Sequence, residues 1–78
     1  MTISIAIYSR LDELCDERGM TVNKLCDIAC VTQSTVFSFR DGRSKNPGIQ
    51  TIHKLCSALD ITLAEFFDSQ LFDNLHTT

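Results

Sequence analysis

The chain predicts an all-α fold, a compact bundle of five short helices, and three observations carry that expectation. Apolar residues recur at three- and four-residue steps along most of the length, strand-like alternation dies out after the first few residues, and helix start and stop signals fall at short intervals. Ile3, Ile7, Leu11 and Leu14 mark a first amphipathic helix that ends at Gly19. Val22, Leu25, Cys26 and Ala29 mark a short second one. Val36 and Phe39 give the buried side of a third, closed by Gly42. Ile49, Ile52, Leu55, Cys56 and Leu59 give a fourth. Leu63, Phe66 and Phe67 open a fifth, which Leu71, Phe72 and Leu75 are placed to extend.

The helix starts share one grammar. Thr21, Thr32 and Thr62 each stand where an N-cap hydroxyl accepts from the free amides of the next turn. Each has an apolar residue just before it and another four after it: Met20 with Leu25, Val31 with Val36, Ile61 with Phe66. These are candidate hydrophobic staples, and Glu65 completes a capping box with Thr62.

Length and composition bound the rest. Seventy-eight residues predict one domain, 1–78, with a core small enough that dimerisation is a common way to bury more surface. Hydrophobic residues at 44% and charged residues at 22% describe an ordinary soluble protein. Arg10, Asp12 and Glu13 interrupt the N-terminal apolar stretch, so neither a secretory leader nor a membrane span is expected, and the predicted compartment is the cytoplasm. That favours reduced thiols for Cys15, Cys26, Cys30 and Cys56. No Cys-x-x-Cys pair occurs, and His53 and His76 have no ligand-like spacing to the cysteines, so no metal and no cofactor is expected. Cys26 and Cys56 read as small buried hydrophobes.

The formal net charge of −3 argues mildly against nucleic acid, but its distribution does not. Residues 32–48 carry Arg40, Arg43 and Lys45 against Asp41 alone, while the segments on either side are net acidic. It is the local field at a contact face that steers a polyanion. The basic stretch follows a three-residue connection, Cys30 to Thr32, as tight as a helix-turn-helix needs. With Val36 and Phe39 inward, residues 33, 34, 37, 38 and 41 project from the opposite face.

From about Ile7 to Phe67 the sequence resembles the phage-repressor and Cro-like (XRE-type) helix-turn-helix family of bacterial regulators. The phrases that carry the resemblance are "MTVNKLCDIACVTQSTVFSFRDGRSKNP" and "IQTIHKLCSALDITLAEFF". The resemblance implies a lambda-repressor-like five-helix domain with its helix-turn-helix at about 21–41, a recognition helix starting near Thr32, and a symmetric homodimer on a palindromic double-stranded DNA operator. It assigns base reading to Gln33, Ser34, Phe37 and Ser38. The chemistry agrees: Gln33 suits adenine, serine hydroxyls donate or accept, and Phe37 either meets a thymine methyl or folds back onto a neighbouring helix. Backbone contacts are expected from Thr32, Thr35, Arg43, Lys45 and the first amides of the helix. Arg40 either reaches phosphate or pairs with an acid such as Asp16.

The match has departures. Val22 stands where a phosphate-clamping glutamine is common, leaving Thr21 and Asn23 to substitute. Cys30 stands where glycine is common, so it must tolerate a left-handed backbone. Cys15 and Arg40 stand where many relatives pair an arginine with a glutamate. Weak, salt-sensitive binding that relies on dimerisation is therefore expected. Phe66, Phe67, Leu71, Phe72 and Leu75 are the candidate dimer surface; the alternative is that Phe66 and Phe67 close the core and the tail, about 69–78, frays. The function predicted first is a sequence-specific transcriptional regulator, a repressor that occupies an operator. The second is a protein-interaction module or antitoxin-like partner of the same fold. An enzyme is not expected, because His53 beside Lys54 has no nucleophile or carboxylate constellation.

Overall fold

The computed structural model describes residues 1–43 and 47–75. Helices run over Ile3–Glu17 (α1), Val22–Ala29 (α2), Gln33–Arg40 (α3), Ile49–Leu59 (α4) and Leu63–Phe67 (α5), followed by a single 3₁₀ turn, Gln70–Phe72. The five expected helices are present, and no strand occurs among the described residues.

One connector is used three times. Gly19-Met20-Thr21, Cys30-Val31-Thr32 and Asp60-Ile61-Thr62 each place a left-handed residue, then an apolar one, then a threonine N-cap. The apolar residue donates its N–H to a carbonyl five residues back: Met20 to Cys15, Val31 to Cys26 and Ile61 to Cys56, each at 3.0 Å. The left-handed residue donates three residues back, so each pair of bonds satisfies orphan carbonyls at the end of a helix. Met20, Val31 and Ile61 then pack against the core. A single apolar side chain thus closes one helix and staples the next. α3 ends the same way at Gly42 (φ 71°), with Arg43 in the apolar residue's place.

Two of these left-handed positions lack glycine. Cys30 sits at φ 57°, ψ 42° and Asp60 at φ 60°, ψ 44°. Such a conformation costs an ordinary side chain about 1–2 kcal/mol, less for Asp, whose short polar group bonds locally. Cys30 is exposed, so trimming it forfeits no packing. Cys30→Gly is expected to stabilise the fold by about 1 kcal/mol and raise the melting midpoint by about 4–8 °C in scanning calorimetry. Asp60→Gly should give less.

The caps differ from expectation at one place. Thr21 Oγ1 accepts from Lys24 N at 3.1 Å, and Thr62 forms the full capping box with Glu65. Thr32 occupies the N-cap of α3 but makes no side-chain cap bond; its carbonyl accepts from Thr35 N instead. The N–H and hydroxyl of Thr62 hold the Glu65 carboxyl below its usual range. The charged half of that box is therefore present at neutral pH and lost as pH falls through the lowered pKa.

α1 lies along α3, α2 lies against α4, and their apolar sides meet in one core. Leu11, Leu25, Val36, Leu55, Cys26, Cys56 and Phe66 are fully enclosed. Burial pushes the thiols of Cys15, Cys26 and Cys56 up, with Asp12 adding to the rise at Cys15, so all three serve as neutral hydrophobes. The periodic pattern overreached at its ends: Ile3 and Ile49 open their helices exposed. The fifth helix is not extended by Leu71, Phe72 and Leu75. The chain turns at Asp68, Ser69 Oγ accepts from Leu71 N at 3.2 Å, and the 3₁₀ turn folds back on α1.

Candidate nucleic-acid interface

α2 and α3 are joined through the three-residue turn Cys30-Val31-Thr32, the arrangement of a helix-turn-helix. Val36 and Phe39 anchor α3 in the core at 0% and 1% exposure. That orientation turns Gln33, Ser34 and Thr35 to solvent. The missing Thr32 cap leaves the amides of Gln33 and Ser34 without a side-chain acceptor, at the positive end of the helix. Ser38 is half-buried, and its hydroxyl donates to the Thr35 carbonyl at 2.6 Å. Toward any further group Ser38 therefore acts as an acceptor.

Phe37 is half-buried against α1, its ring 6.2 Å from that of Tyr8. The Arg40 guanidinium lies 4.7 Å from the Phe37 centroid and 6.0 Å from that of Tyr8. Arg40 does pair with an acid, but with Asp41 rather than Asp16. Its Nε donates to Asp41 Oδ1 at 3.1 Å, which raises the Arg40 pKa still further, and Arg43 Nη2 donates to Asp41 Oδ2 at 3.1 Å. Lys45 lies outside the described residues. Thr21 and Asn23 are exposed at the start of α2, while Val22 turns inward at 7% exposure.

A groove of about 300 Å³ runs beside this surface, lined among others by Tyr8, Asp12, Asp16, Thr21, Asn23 and Phe37. Two carboxylates near the first turn of α2 suit the positive end of that helix. They also set negative charge next to the start of α2 and Phe37 of α3. Sequence reasoning missed Tyr8, which supports both Phe37 and Arg40, because it stands one step off the Ile7–Leu11–Leu14 stripe. It also missed that a single acid, Asp41, engages both arginines.

The candidate dimer residues separate. Phe66 is 0% exposed and belongs to the core; its ring contacts Phe67 edge-on at 5.0 Å and Phe72 at 6.0 Å. It has no surface to offer a second subunit. Phe67, Leu71, Phe72 and Leu75 are half-buried, with Phe67 and Phe72 edge-on at 5.0 Å.

A brace helix, a three-residue turn and a following helix with an exposed polar first turn define a helix-turn-helix protein. The chain belongs to the Cro/C1-type helix-turn-helix DNA-binding domain family, whose model matches residues 10–70. It is similar to the prophage Lp1 protein 11, known from a crystal structure: the two are 35% identical, with a TM-score of 0.85 over 96% of this chain and 99% of that one. No curated protein matches the chain. Among the described residues, no helix is long and apolar enough to cross a membrane.

Proposed function

We propose that the protein is a sequence-specific transcriptional repressor that reads the major groove of a palindromic operator as a homodimer. The observation that carries this is the first turn of α3, where the exposed Gln33 and Ser34 side chains stand beside amides that no side chain caps. Uncapped amides at a helix start suit a phosphate, and a bidentate Gln33 contact beside them suits adenine. Ser38, already donating internally, accepts from an adenine or cytosine amino group. Thr21, Asn23, Thr32, Thr35, Arg40, Arg43 and Lys45 supply backbone contacts, which seat the protein without specifying sequence. The half-buried Phe67, Leu71, Phe72 and Leu75 form the surface assigned to the partner subunit. One α3 per subunit then reads half-sites about one DNA turn apart.

Selection of bound duplexes from a random library, with Gln33→Ala, Ser38→Ala run alongside, tests this. An enriched palindrome that the variant loses or relaxes is the expected result. No enrichment from the folded protein at low salt overturns the reading. A second reading, a protein-interaction module, is favoured by the carboxylates of Asp12 and Asp16 beside Phe37 of α3. It predicts a protein partner for α3 and no duplex binding that falls steeply with salt.

A further inference from the structure

Resting on the DNA-binding reading above, we infer that Asp41 is a built-in competitor for phosphate. In the free chain its carboxylate holds the two arginines that DNA must recruit, and so it sets the affinity and salt dependence of binding. Both Asp41 oxygens are used, Oδ1 by Arg40 and Oδ2 by Arg43, each at 3.1 Å. The geometry is that of an anion shared by two guanidinium groups, the same arrangement a backbone phosphate would accept.

Folding does not explain an acid at this place. The Arg40, Arg43 and Asp41 side chains are 53%, 68% and 38% exposed, and ion pairs so solvated contribute little to stability. Asp41 also caps the C-terminal end of α3, where the helix dipole favours a cation over a carboxylate. The stacking of Arg40 on Phe37 and Tyr8 holds its guanidinium at the side of the recognition helix whether or not Asp41 is charged. The exposure that makes the pairs weak for folding leaves both arginines open to an incoming phosphate.

A carboxylate that stays at the interface cancels about one of the phosphate neutralisations the arginines would otherwise make. Each such neutralisation steepens the dependence of log K on log salt by about 0.9 on duplex DNA. Asp41→Asn is therefore expected to bind a fluorescein-labelled 30-base-pair random-sequence duplex more tightly than wild type, read by fluorescence anisotropy. Its slope should be steeper by about 0.9, so its advantage should shrink about threefold between 50 and 200 mM salt. Asp60→Asn makes the same change in net charge at the far end of α4 from the α3 exit, about 16 Å along that helix, and should move neither quantity. Circular dichroism melts of Asp41→Asn should stay close to wild type. In an Arg43→Ala background the gain from Asp41→Asn should shrink, because one of the two captive cations is gone.

An Asp41→Asn protein that binds no more tightly than Asp60→Asn overturns the inference while leaving DNA binding intact. An undiminished gain in the Arg43→Ala background assigns Asp41 to plain repulsion and overturns the competitor role. If neither wild type nor Asp41→Asn binds the duplex at 50 mM salt, the DNA-binding reading fails and the inference fails with it.

Discussion

Phe66→Ala is expected to destabilise the protein by about 3–5 kcal/mol, the usual cost of emptying an aromatic site in a closed core. A chain of 78 residues holds about 4–12 kcal/mol in all, so the variant sits at the edge of folding. Phe66 is fully buried, touches both neighbouring aromatic rings, and is flanked by carbonyls that anchor Arg10. No rearrangement of a five-residue helix refills that space. Urea denaturation reads the loss directly. Phe67→Ala and Phe72→Ala should each cost less, because their rings are already half-exposed. The same titrations at several protein concentrations separate core from interface. The Phe66→Ala penalty should be the same at every concentration, whereas a residue that buries itself only in a dimer loses stability in proportion to the dimer it breaks. Three-dimensional placement, not composition, decides this. "EFFDS" offers two adjacent aromatics, of which the fold encloses Phe66 fully and leaves Phe67 half-buried at the edge of the core.

That distinction marks the limit of what the residues alone disclose. The helix order, the caps at Thr21 and Thr62 and the three-residue turn are legible because they rest on local chemistry: period, a hydroxyl at the right step, an apolar residue on either side. The left-handed backbone at Cys30 is legible too, from what the position requires rather than from what occupies it. The Thr32 cap is not, because a threonine at an N-cap has a rotamer choice and only the folded turn settles it. The Arg40 partner is not legible either. The sequence suggests Asp16, not the adjacent Asp41, and the Tyr8–Phe37 pair that positions the guanidinium comes from two different helices. At the candidate interface, the polar face of α3 follows from Val36 and Phe39 pointing inward. The neutralisation of its cations by Asp41 depends on the turn after Arg40, which periodicity does not describe.

Arg10→Met is expected to loosen the C-terminal segment at a cost of about 2 kcal/mol. Arg10 and Glu13 stand three residues apart on α1 and form an ion pair. In the fold that ion pair is the minor part of the arginine's role, because its Nε donates to the Phe66 carbonyl at 2.8 Å and its Nη2 to the Glu65 carbonyl at 2.9 Å. Those carbonyls close α5, which is too short to hold its own last turn. The Arg10 side chain is only 13% exposed, so the bonds are partly shielded, and hydrogen bonds from a charged donor are worth about 1.5–3 kcal/mol each before rehydration offsets part of that. Methionine keeps the stem packed and removes the donors. Arg10→Lys should recover little, since one ammonium cannot reproduce the planar fork that spans two carbonyls. Amide hydrogen exchange gives the sharper readout: the N–H groups of Leu71 and Phe72, bonded within the 3₁₀ turn, should exchange faster in Arg10→Met while those of α2 and α4 stay protected. Equal protection throughout would mean that Phe66, Phe67 and Phe72 hold the segment by packing alone. Uniform loss throughout would make the arginine a support of the whole core. A loss confined to the C-terminal turn identifies Arg10 as the clasp between the first helix and the end of the chain, beside the half-buried rings assigned to the dimer.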